Sequence, residues 1–412
     1  MSDFGLVLFY ARPNRFSFHA LIGALEADAA FDDLDIVLAR KPDDLVPHAA
    51  TAIRKYGRAV LAFSVMTAHV PRIRRMLPLL KAKLGPAAVL VAGGPHAAAD
   101  PNGMLELGFD FIVCGEGEES FPGLLKAIGG ACDIGGVRGI AYRENGAVRS
   151  TGRAGVVDLD RYPPFAVRHR RSGPIEITRG CPFVCGFCQV SALFGTRPRH
   201  RSVAAIVKYV EVLRENGLWD VRFISPNAFS YGSPDGKQLN LPALRELLSA
   251  SRETIGERGR VYFGSFPSEV RPEHVTPETV ALVREFCDND NVIVGAQSGS
   301  ECMLDLCGRG HTVDDVFRAV DVIAGAGLTA NIDFIFGLPG ETADDVDATL
   351  RVVEALLANG ARIHAHRFTP LPQTRFSGAA PGRLSAKTLS LFGRLAATGA
   401  VYGEWREWGE EV

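Results

Sequence analysis

Short, largely apolar runs alternate with amphipathic stretches over the first 130 residues of the chain. Such runs are typical of strands that are buried on both faces of a sheet. The predicted strands cover residues 5–10, 34–38, 59–65, 88–92 and 109–114. Helical patterns occupy residues 19–30, residues 70–84 and the stretch after Gly115. Strands separated by helices predict a parallel, Rossmann-like α/β sheet, in which ligands bind beyond the carboxyl ends of the strands.

The pattern breaks between residues 134 and 173. A strand-like piece at 139–143 and several glycines precede Tyr162, two prolines and the basic run 168–171. This composition predicts a linker with a small hairpin, and the basic run is expected to be solvated.

The alternation then resumes and predicts a second α/β unit. Its six strands are expected at 174–178, 221–225, 261–265, 291–296, 329–336 and 362–368. Its five intervening helices are expected at 203–216, 241–254, 277–287, 313–326 and 343–359. Six strands alternating with helices are compatible with a partial or full barrel. One more helical pattern follows, before Trp405 and Trp408. The predicted domains are therefore 1–133, a linker at 134–173, a barrel at 174–374 and a helical tail at 375–412.

The composition is that of an ordinary globular protein. Hydrophobic residues make up 47% and charged residues 22% of the 412 residues, as in ordinary globular proteins. The 45 basic and 47 acidic residues nearly cancel, which gives no electrostatic reason to expect nucleic-acid or membrane-surface partners. The start lacks a basic segment, and no apolar run approaches the roughly 18 residues of a spanning helix. We therefore expect a cytoplasmic protein.

Three of the eight cysteines, Cys181, Cys185 and Cys188, lie within one short loop after the first strand of the second unit. Three thiolates at this spacing can ligate three irons of a [4Fe-4S] cluster and leave the fourth iron open. Zinc is the alternative metal, but a structural zinc site needs a fourth ligand. No second C-x-x-C follows, and the nearest histidine, His200, lies twelve residues on in a basic stretch.

The C-x-x-x-C-x-x-C loop, with Phe187 before its last cysteine, resembles the radical S-adenosylmethionine (SAM) enzymes. Three later blocks resemble the methylthiotransferase-like branch of that superfamily in the same order. They are VGAQSGS with CGRGHT (294–300 and 307–312), DFIFGLPGET (333–342) and HAHRFTPLPQT (364–374). The resemblance covers about 174–374 and implies a radical SAM partial (β/α)6 barrel.

The resemblance also implies a SAM site. The open iron would chelate SAM, and the reduced cluster would cleave it to a 5′-deoxyadenosyl radical. Ser265 and Glu269 would bind the ribose hydroxyls or the methionine amine, and Arg309 would pair with the methionine carboxylate. Phe187, Gln297 and Ser298 would line the same cleft. Asn227 stands where the family often binds the amine, although Ser225-Pro226-Asn227 departs from the usual GGE sequence. The alternative role for each polar residue is a helix cap or a turn hydrogen bond.

The first unit resembles the cobalamin-binding domain that is fused to many radical SAM enzymes. The resemblance rests on SVMT (64–67), GGPH (93–96) and GEGEES (115–120), each after a predicted strand. It implies the following cobalamin contacts: Ser64, Thr67, Gly93, Gly94, His96, Gly115 and Glu116. The glycines would admit a bulky flat ligand, and the hydroxyls would bind its nucleotide tail.

The cobalt-ligating D-x-H-x-x-G motif of cobalamin domains is absent, because His19 does not have that spacing. The resemblance therefore implies cobalamin without a histidine ligand, with Met66 as a candidate to fill the lower face. Methylthiotransferases carry three further cysteines in their N-terminal domain. Only Cys114 and Cys132 occur here, so methylthiolation is not expected.

The implied function is cobalamin-dependent radical SAM catalysis, by which an unactivated carbon of a small molecule is methylated through a 5′-deoxyadenosyl radical and methylcobalamin. A flavodoxin- or ferredoxin-type protein would supply the electron. One alternative is cyclisation or rearrangement without methyl transfer. An alternative of a different class is a non-catalytic cobalamin or iron–sulfur sensor or electron carrier, which would not need Arg309 and the GLPGE block.

Overall fold

The computed structural model describes residues 3–405, apart from the side chain of Lys387. The chain divides into two compact units, Met1–Gly173 and Pro174–Val412, called here the first and second units. In the described part of the chain, no helix has both the length and the apolar character needed to cross a bilayer.

The first unit is built on one seven-stranded sheet. Its strands are β1 Gly5–Phe9, β2 Ile36–Ala39, β3 Ala59–Ser64, β4 Ala88–Gly93, β5 Phe111–Val113, β6 Ile140–Glu144 and β7 Ala147–Ser150. The spatial order is β2-β1-β3-β4-β5-β6-β7. β1 to β5 are parallel, whereas β6 and β7 form an antiparallel hairpin on β5. The predicted parallel α/β sheet is therefore confirmed.

Helices cover both faces of this sheet. They are α1 Arg15–Glu26, α2 Pro42–Tyr56, α3 Val70–Leu84, α4 Pro95–Ala99, α5 Pro101–Leu107 and α6 Gly117–Ile128. Successive residues of a strand point to opposite faces. Val7 of β1 accordingly belongs to the core under α2 and α3, and its neighbours Leu6 and Leu8 belong to the core under α1 and α6.

Residues 134–173, which the sequence predicts to be a linker, are an integral part of the first unit. The hairpin β6–β7 extends the sheet, because β6 pairs with β5 from Phe111 to Val113. Beyond it, Ala166 is buried in the core under α1 and α6. The carboxylate of Glu26 accepts hydrogen bonds from the backbone N–H groups of Val167 and His169. The segment is therefore fixed by sheet pairing and burial.

The second unit contains two parallel sheets and a short antiparallel pair. Its strands are β8 Ile175–Glu176, β9 Thr178–Arg179, β10 Arg199–His200, β11 Asp220–Ile224, β12 Arg260–Tyr262, β13 Asn291–Gln297, β14 Thr329–Phe336, β15 Arg362–Arg367 and β16 Val401–Tyr402. The parallel sheets have the orders β12-β11-β8 and β13-β14-β15-β16. The segment after β12 joins them, since Val270 makes a parallel bridge with Val294 of β13. This succession of parallel strands confirms the predicted barrel-like α/β unit.

Helices connect these strands in sequence order. They are α7 Val190–Phe194, α8 Val203–Glu215, α9 Leu241–Ile255, α10 Pro277–Phe286, α11 Glu301–Cys307, α12 Val313–Gly325, α13 Ala343–Ala358 and α14 Ala386–Ala397. On β14 the residues alternate between full and partial burial, with Ile332 and Phe334 on the buried face and Asp333 on the opposite face. The predicted tail contains α14 and β16, and Trp405 packs edge-on against Phe392. Trp408 lies outside the described residues.

Candidate functional site

The three loop cysteines lie between β9 and α7. The loop begins at Gly180, where φ is +88° and an added Cβ would lie 2.6 Å from the carbonyl oxygen of Arg197, so only glycine fits. Cys185 is buried, and Cys181 and Cys188 are half-buried. Burial raises the pKa of the Cys188 thiol to about 12 and also raises that of Cys181. These thiols therefore ionise only when a positive charge such as iron compensates them.

The loop is docked on the end of α11. Gly186 donates its N–H to the carbonyl of Cys307 at 2.8 Å and accepts a hydrogen bond from the N–H of Phe376 at 3.0 Å. A Cβ on Gly186 would lie 2.7 Å from the Phe376 ring. Phe187 packs against an apolar cluster that includes Met303 and Phe376. The loop is thus held by backbone hydrogen bonds and by close contact with an aromatic ring.

His200, the candidate fourth zinc ligand, has both ring nitrogens engaged. Its Nδ1 lies 3.0 Å from the Thr178 hydroxyl, and its Nε2 lies 2.8 Å from the carbonyl oxygen of Ser233. The structure therefore uses His200 to hold β9 and the loop after β11 rather than to complete a metal site.

Three of the predicted SAM-binding side chains converge at Gly295 on β13. A Cβ added to Gly295 would lie 3.1 Å from Oε2 of Glu269, 3.3 Å from Nη2 of Arg309 and 2.7 Å from Nε2 of Gln297. Nη1 of Arg309 also lies 3.6 Å from Sγ of Cys185, and Nη2 donates to the Gly295 carbonyl at 2.6 Å. The structure thus brings Glu269, Gln297 and Arg309 together beside the cysteine loop.

Two of the predicted SAM-binding residues have a buried polar atom without a partner. They are Nε of Arg309, in this cleft, and Oγ of Ser265, after β12, neither of which has a hydrogen-bond partner among the described residues. The pKa of Glu269 is raised to about 7, chiefly by burial. The neighbouring Asp333 carboxylate also raises this pKa, and Arg309 lowers it by a smaller amount. A buried donor without a partner costs free energy, so a ligand with a carboxylate and an ammonium group would satisfy this cleft.

Asn227 and Ser298 make hydrogen bonds within the protein. The Asn227 amide contacts Nδ1 of His274 at 2.6 Å and accepts from the backbone N–H of Arg271 at 3.2 Å. The Ser298 hydroxyl lies 3.2 Å from the Thr349 hydroxyl on α13. These hydrogen bonds agree with the turn-bonding alternative for both residues, and their role as SAM contacts stays a prediction.

Sequence reasoning missed a group of residues that supports Arg309. The guanidinium of Arg271 lies 3.5 Å from the Phe183 ring centre, within the cysteine loop, and donates to the backbone carbonyl of Arg309. Glu273 accepts from Nε of Arg271 at 2.5 Å. His311 lies behind Arg309 with its Nδ1 3.9 Å from Oε2 of Glu273. Burial and the two arginines lower the pKa of His311 to about 3, so its ring is neutral. Of this group, only His311 lies in a motif that the sequence analysis singled out, the RGHT block at 309–312.

The predicted cobalamin residues of β3 and β4 are adjacent in the first unit. Ser64 is the register partner of Gly93 at the carboxyl ends of these strands. Gly94 has φ of +88°, and a Cβ there would lie 2.8 Å from Oγ of Ser64, which is buried without a partner among the described residues. The Thr67 hydroxyl lies 3.0 Å from Nδ1 of His96. These five residues form one polar, glycine-lined edge.

Gly115 and Glu116 follow β5 on the same side of the sheet. Gly115 has φ of +94°, and Glu116 accepts a hydrogen bond from the backbone N–H of Val157 at 3.3 Å. Glu116 therefore contacts the segment after β7, which gives it a structural role in addition to its predicted one. His19 is buried, with its Nε2 2.5 Å from the Tyr10 hydroxyl, and burial lowers its pKa to about 4.

Comparison with known proteins identifies both units. The model of the radical SAM superfamily matches residues 175–353, and the model of the B12 binding domain matches residues 17–125. An uncharacterized protein of Methanopyrus kandleri is 27% identical over 77% of this chain and 67% of its own length. An uncharacterized methyltransferase of Pyrococcus horikoshii is 26% identical over 86% of this chain and 73% of its own length.

Solved structures have the same fold. The radical SAM methyltransferase TsrM from Kitasatospora setae, solved with cobalamin and a [4Fe-4S] cluster, has a TM-score of 0.70 at 19% identity. The match covers 92% of this chain and 74% of that chain. The cobalamin-dependent radical enzyme OxsB has a TM-score of 0.67 at 16% identity and covers 85% of this chain and 51% of its own. The chain therefore carries a B12 binding domain at residues 17–125, followed by a radical SAM domain at residues 175–353.

Proposed function

We propose that this protein is a cobalamin-dependent radical SAM methyltransferase that methylates an unactivated carbon of a small molecule. The observation that carries the proposal is the convergence of Glu269, Gln297 and Arg309 on Gly295, with Arg309 in contact with Cys185. An electron carrier or sensor would need the cysteine loop but no cleft for an amino acid moiety beside it. Two relatives named as methyltransferases support the reaction class.

The cysteine loop fits a [4Fe-4S] cluster. Cys181, Cys185 and Cys188 would hold it with three thiolates, and the burial that raises the pKa of Cys181 and Cys188 would be offset by the positive charge of the irons. Arg309 places a cation at Sγ of Cys185 and would counter the negative charge of the ligating sulfur. Phe187 would shield the cluster from water, as part of the apolar cluster on which the loop packs.

The cleft at Gly295 fits the amino acid part of SAM. The unpartnered Nε of Arg309 would donate to the methionine carboxylate, and Glu269 would accept from the methionine amine. An ammonium group beside Glu269 would favour its ionised form over the neutral form that burial favours. The unpartnered hydroxyl of Ser265 would bind a ribose hydroxyl, and Gln297 would bound the cleft.

The edge formed by β3 and β4 fits cobalamin. Gly94 lets the chain pass close to Ser64, since a Cβ there would lie 2.8 Å from Oγ of Ser64, and the unpartnered Ser64 hydroxyl would bind the polar tail of the ligand with Thr67. His96 would contact the ligand only at its edge, since its Nδ1 already binds Thr67. Gly115 would border the ligand from the end of β5, next to Glu116. Bound together, the cluster, SAM and cobalamin would supply a carbon-centred radical and a transferable methyl group.

The small-molecule substrate is supported by a TsrM structure solved with tryptophan and a SAM analogue. The fold match to that chain has a TM-score of 0.71 at 20% identity. We further propose a cytoplasmic setting, in which a ferredoxin- or flavodoxin-type protein reduces the cluster.

The test is an anaerobic incubation of the reduced, cofactor-loaded protein with methyl-labelled SAM and the small-molecule fraction of an extract of its own cells. We expect 5′-deoxyadenosine and label in a small-molecule product. Arg309→Lys should lower 5′-deoxyadenosine formation at least tenfold, because lysine cannot form the guanidinium fork. The matched control, Arg318→Lys, changes an exposed arginine on α12 and should have no effect. Deoxyadenosine without labelled product would favour cyclisation or rearrangement, and the absence of both would favour a sensor or carrier.

A further inference from the structure

Asp333, His364 and His366 form a cluster on one face of β14 and β15 that the proposed function does not use. Asp333 is the register partner of His364, and Ile335 is that of His366. Alternate residues of a strand share a face, so the three polar side chains lie together. Nδ1 of His364 is 3.0 Å from Oδ1 of Asp333 and 3.0 Å from Nε2 of His366. The three atoms all lie within 4.8 Å of one another.

Hydrogen bonding alone does not account for this geometry. An imidazole nitrogen has one in-plane direction, in which it either donates one proton or accepts one. Nδ1 of His364 can therefore make a well-directed hydrogen bond with either Asp333 or His366, but not with both. The other 3.0 Å contact has no proton along it. A positive ion between the three atoms would satisfy both contacts at once.

The spacing distinguishes a metal ion from a ligand ammonium group. Two ligands at right angles and about 2.1 Å from an ion are separated by about 3.0 Å. Three acceptors around an ammonium nitrogen, each about 2.8 Å from it, are separated by about 4.6 Å. The two observed separations of 3.0 Å correspond to the first case.

We infer that Asp333, His364 and His366 bind a divalent first-row transition metal ion. Two imidazoles and one carboxylate are a donor set that suits such ions and leaves coordination positions open. The Tyr402 ring is stacked on His364 with a centroid separation of 4.6 Å and an interplanar angle of 14°, which fixes the imidazole plane. The side chains of Asp333 and His364 are 13% and 28% exposed, so an ion can enter.

The inferred site borders the SAM cleft, because Asp333 shares a hydrogen bond with Glu269. An ion held there would present its open positions to an oxygen or nitrogen atom of a substrate on the same face of the sheet. The inference rests on the three side chains alone and does not depend on the proposed reaction.

The experiment is a titration of the full-length, cofactor-loaded protein with Mn²⁺. The concentration of free Mn²⁺ is measured from its six-line electron paramagnetic resonance signal. Mn²⁺ prefers carboxylate and imidazole to the thiols of the cysteine loop, and its signal is distinct from that of iron or cobalt. We expect one Mn²⁺ bound per chain at micromolar concentrations. His366→Gln should weaken binding at least tenfold, whereas the control His48→Gln on α2 should leave it unchanged.

Two results would overturn the inference: equal Mn²⁺ affinity in the wild type and in His366→Gln, or saturation of the wild type only above about 1 mM. Should His366→Gln fail to fold, a measurement on the wild type decides the question. Electron spin echo spectra of bound Mn²⁺ should then show coupling to imidazole nitrogen, and spectra without nitrogen coupling would refute the site. Neither measurement uses SAM cleavage, so a failure here is separate from a failure of the proposed function.

Discussion

Replacing Glu269 by glutamine should remove a pH-dependent loss of stability from the second unit. In the folded protein the pKa of Glu269 is raised from 4.5 to about 7, chiefly by burial and then by Asp333. Between these two values the folded state holds a proton that the unfolded chain has released. The free energy of unfolding must therefore fall as the pH rises from about 4.5 to 7, and this contribution is constant above 7.

The size of the effect follows from the shift. A difference of about 2.5 pKa units, from 4.5 to about 7, at 1.36 kcal/mol per unit corresponds to about 3 kcal/mol. Glutamine has the same shape, does not ionise and can still donate to the Asp333 carboxylate. At pH 8 we expect Glu269→Gln to be about 3 kcal/mol more stable than the wild type in the absence of SAM, and at pH 4.5 to differ by less than about 0.5 kcal/mol.

Urea unfolding at several pH values measures this difference. The tryptophans of the described residues, Trp219 and Trp405, belong to the second unit, so tryptophan fluorescence reports on its unfolding. Glu246→Gln removes an exposed carboxylate from α9 and serves as the matched control. If Glu269→Gln and the wild type lost the same free energy of unfolding between pH 4.5 and 8, the raised pKa of Glu269 would be refuted.

Three further predictions concern the cofactors and the packing of the cysteine loop. Replacing any one of the three loop cysteines by alanine should abolish the cluster, as measured by anaerobic iron and sulfide analysis; four irons per chain in the triple variant would contradict the assignment. Bound cob(II)alamin should give an electron paramagnetic resonance spectrum without splitting from a protein nitrogen, and a splitting that disappears in His19→Ala or His96→Ala would show an axial histidine. Gly186→Ala should cost about 1–3 kcal/mol in urea unfolding, because its Cβ would lie 2.7 Å from the Phe376 ring. Gly325→Ala on α12, where a Cβ meets nothing within 4 Å, should show no such loss.

The strands and most helices could be predicted because their hydrophobic periods are clear. The pattern predicts a strand at 329–336 and a helix at 70–84, and the structure has β14 and α3 with those bounds. The helix α2, Pro42–Tyr56, was missed. It contains Pro47 and buries only Leu45, Ala49 and Ala52, so its apolar stripe is narrow and is interrupted by a residue that usually ends helices.

The cysteine loop is visible in the sequence because its spacing is local. The meeting of Glu269 and Arg309 was expected only from the family resemblance, because local spacing does not show the bulge at Gly295–Gln297 or the positive φ of Gln297, which is +75°. The sequence contains a pattern that points to the cluster of Asp333 and the two histidines. Polar residues occupy alternate positions of two otherwise apolar strands, but only the pairing of those strands places them opposite each other.

The hairpin β6–β7 has a consequence for how the protein behaves in a crowded solution. The three-residue strand β5 would otherwise end the parallel sheet with unpaired N–H and C=O groups, which are a template for strands of other molecules. The hairpin covers that edge and replaces it with β7, whose four residues are all exposed. Arg149 of β7 and Glu144 of β6 form an ion pair at 3.1 Å beside the turn, and Arg143 adds another charge. A foreign strand would have to desolvate these charges before it could pair, so the hairpin protects the B12 binding domain against edge-to-edge aggregation.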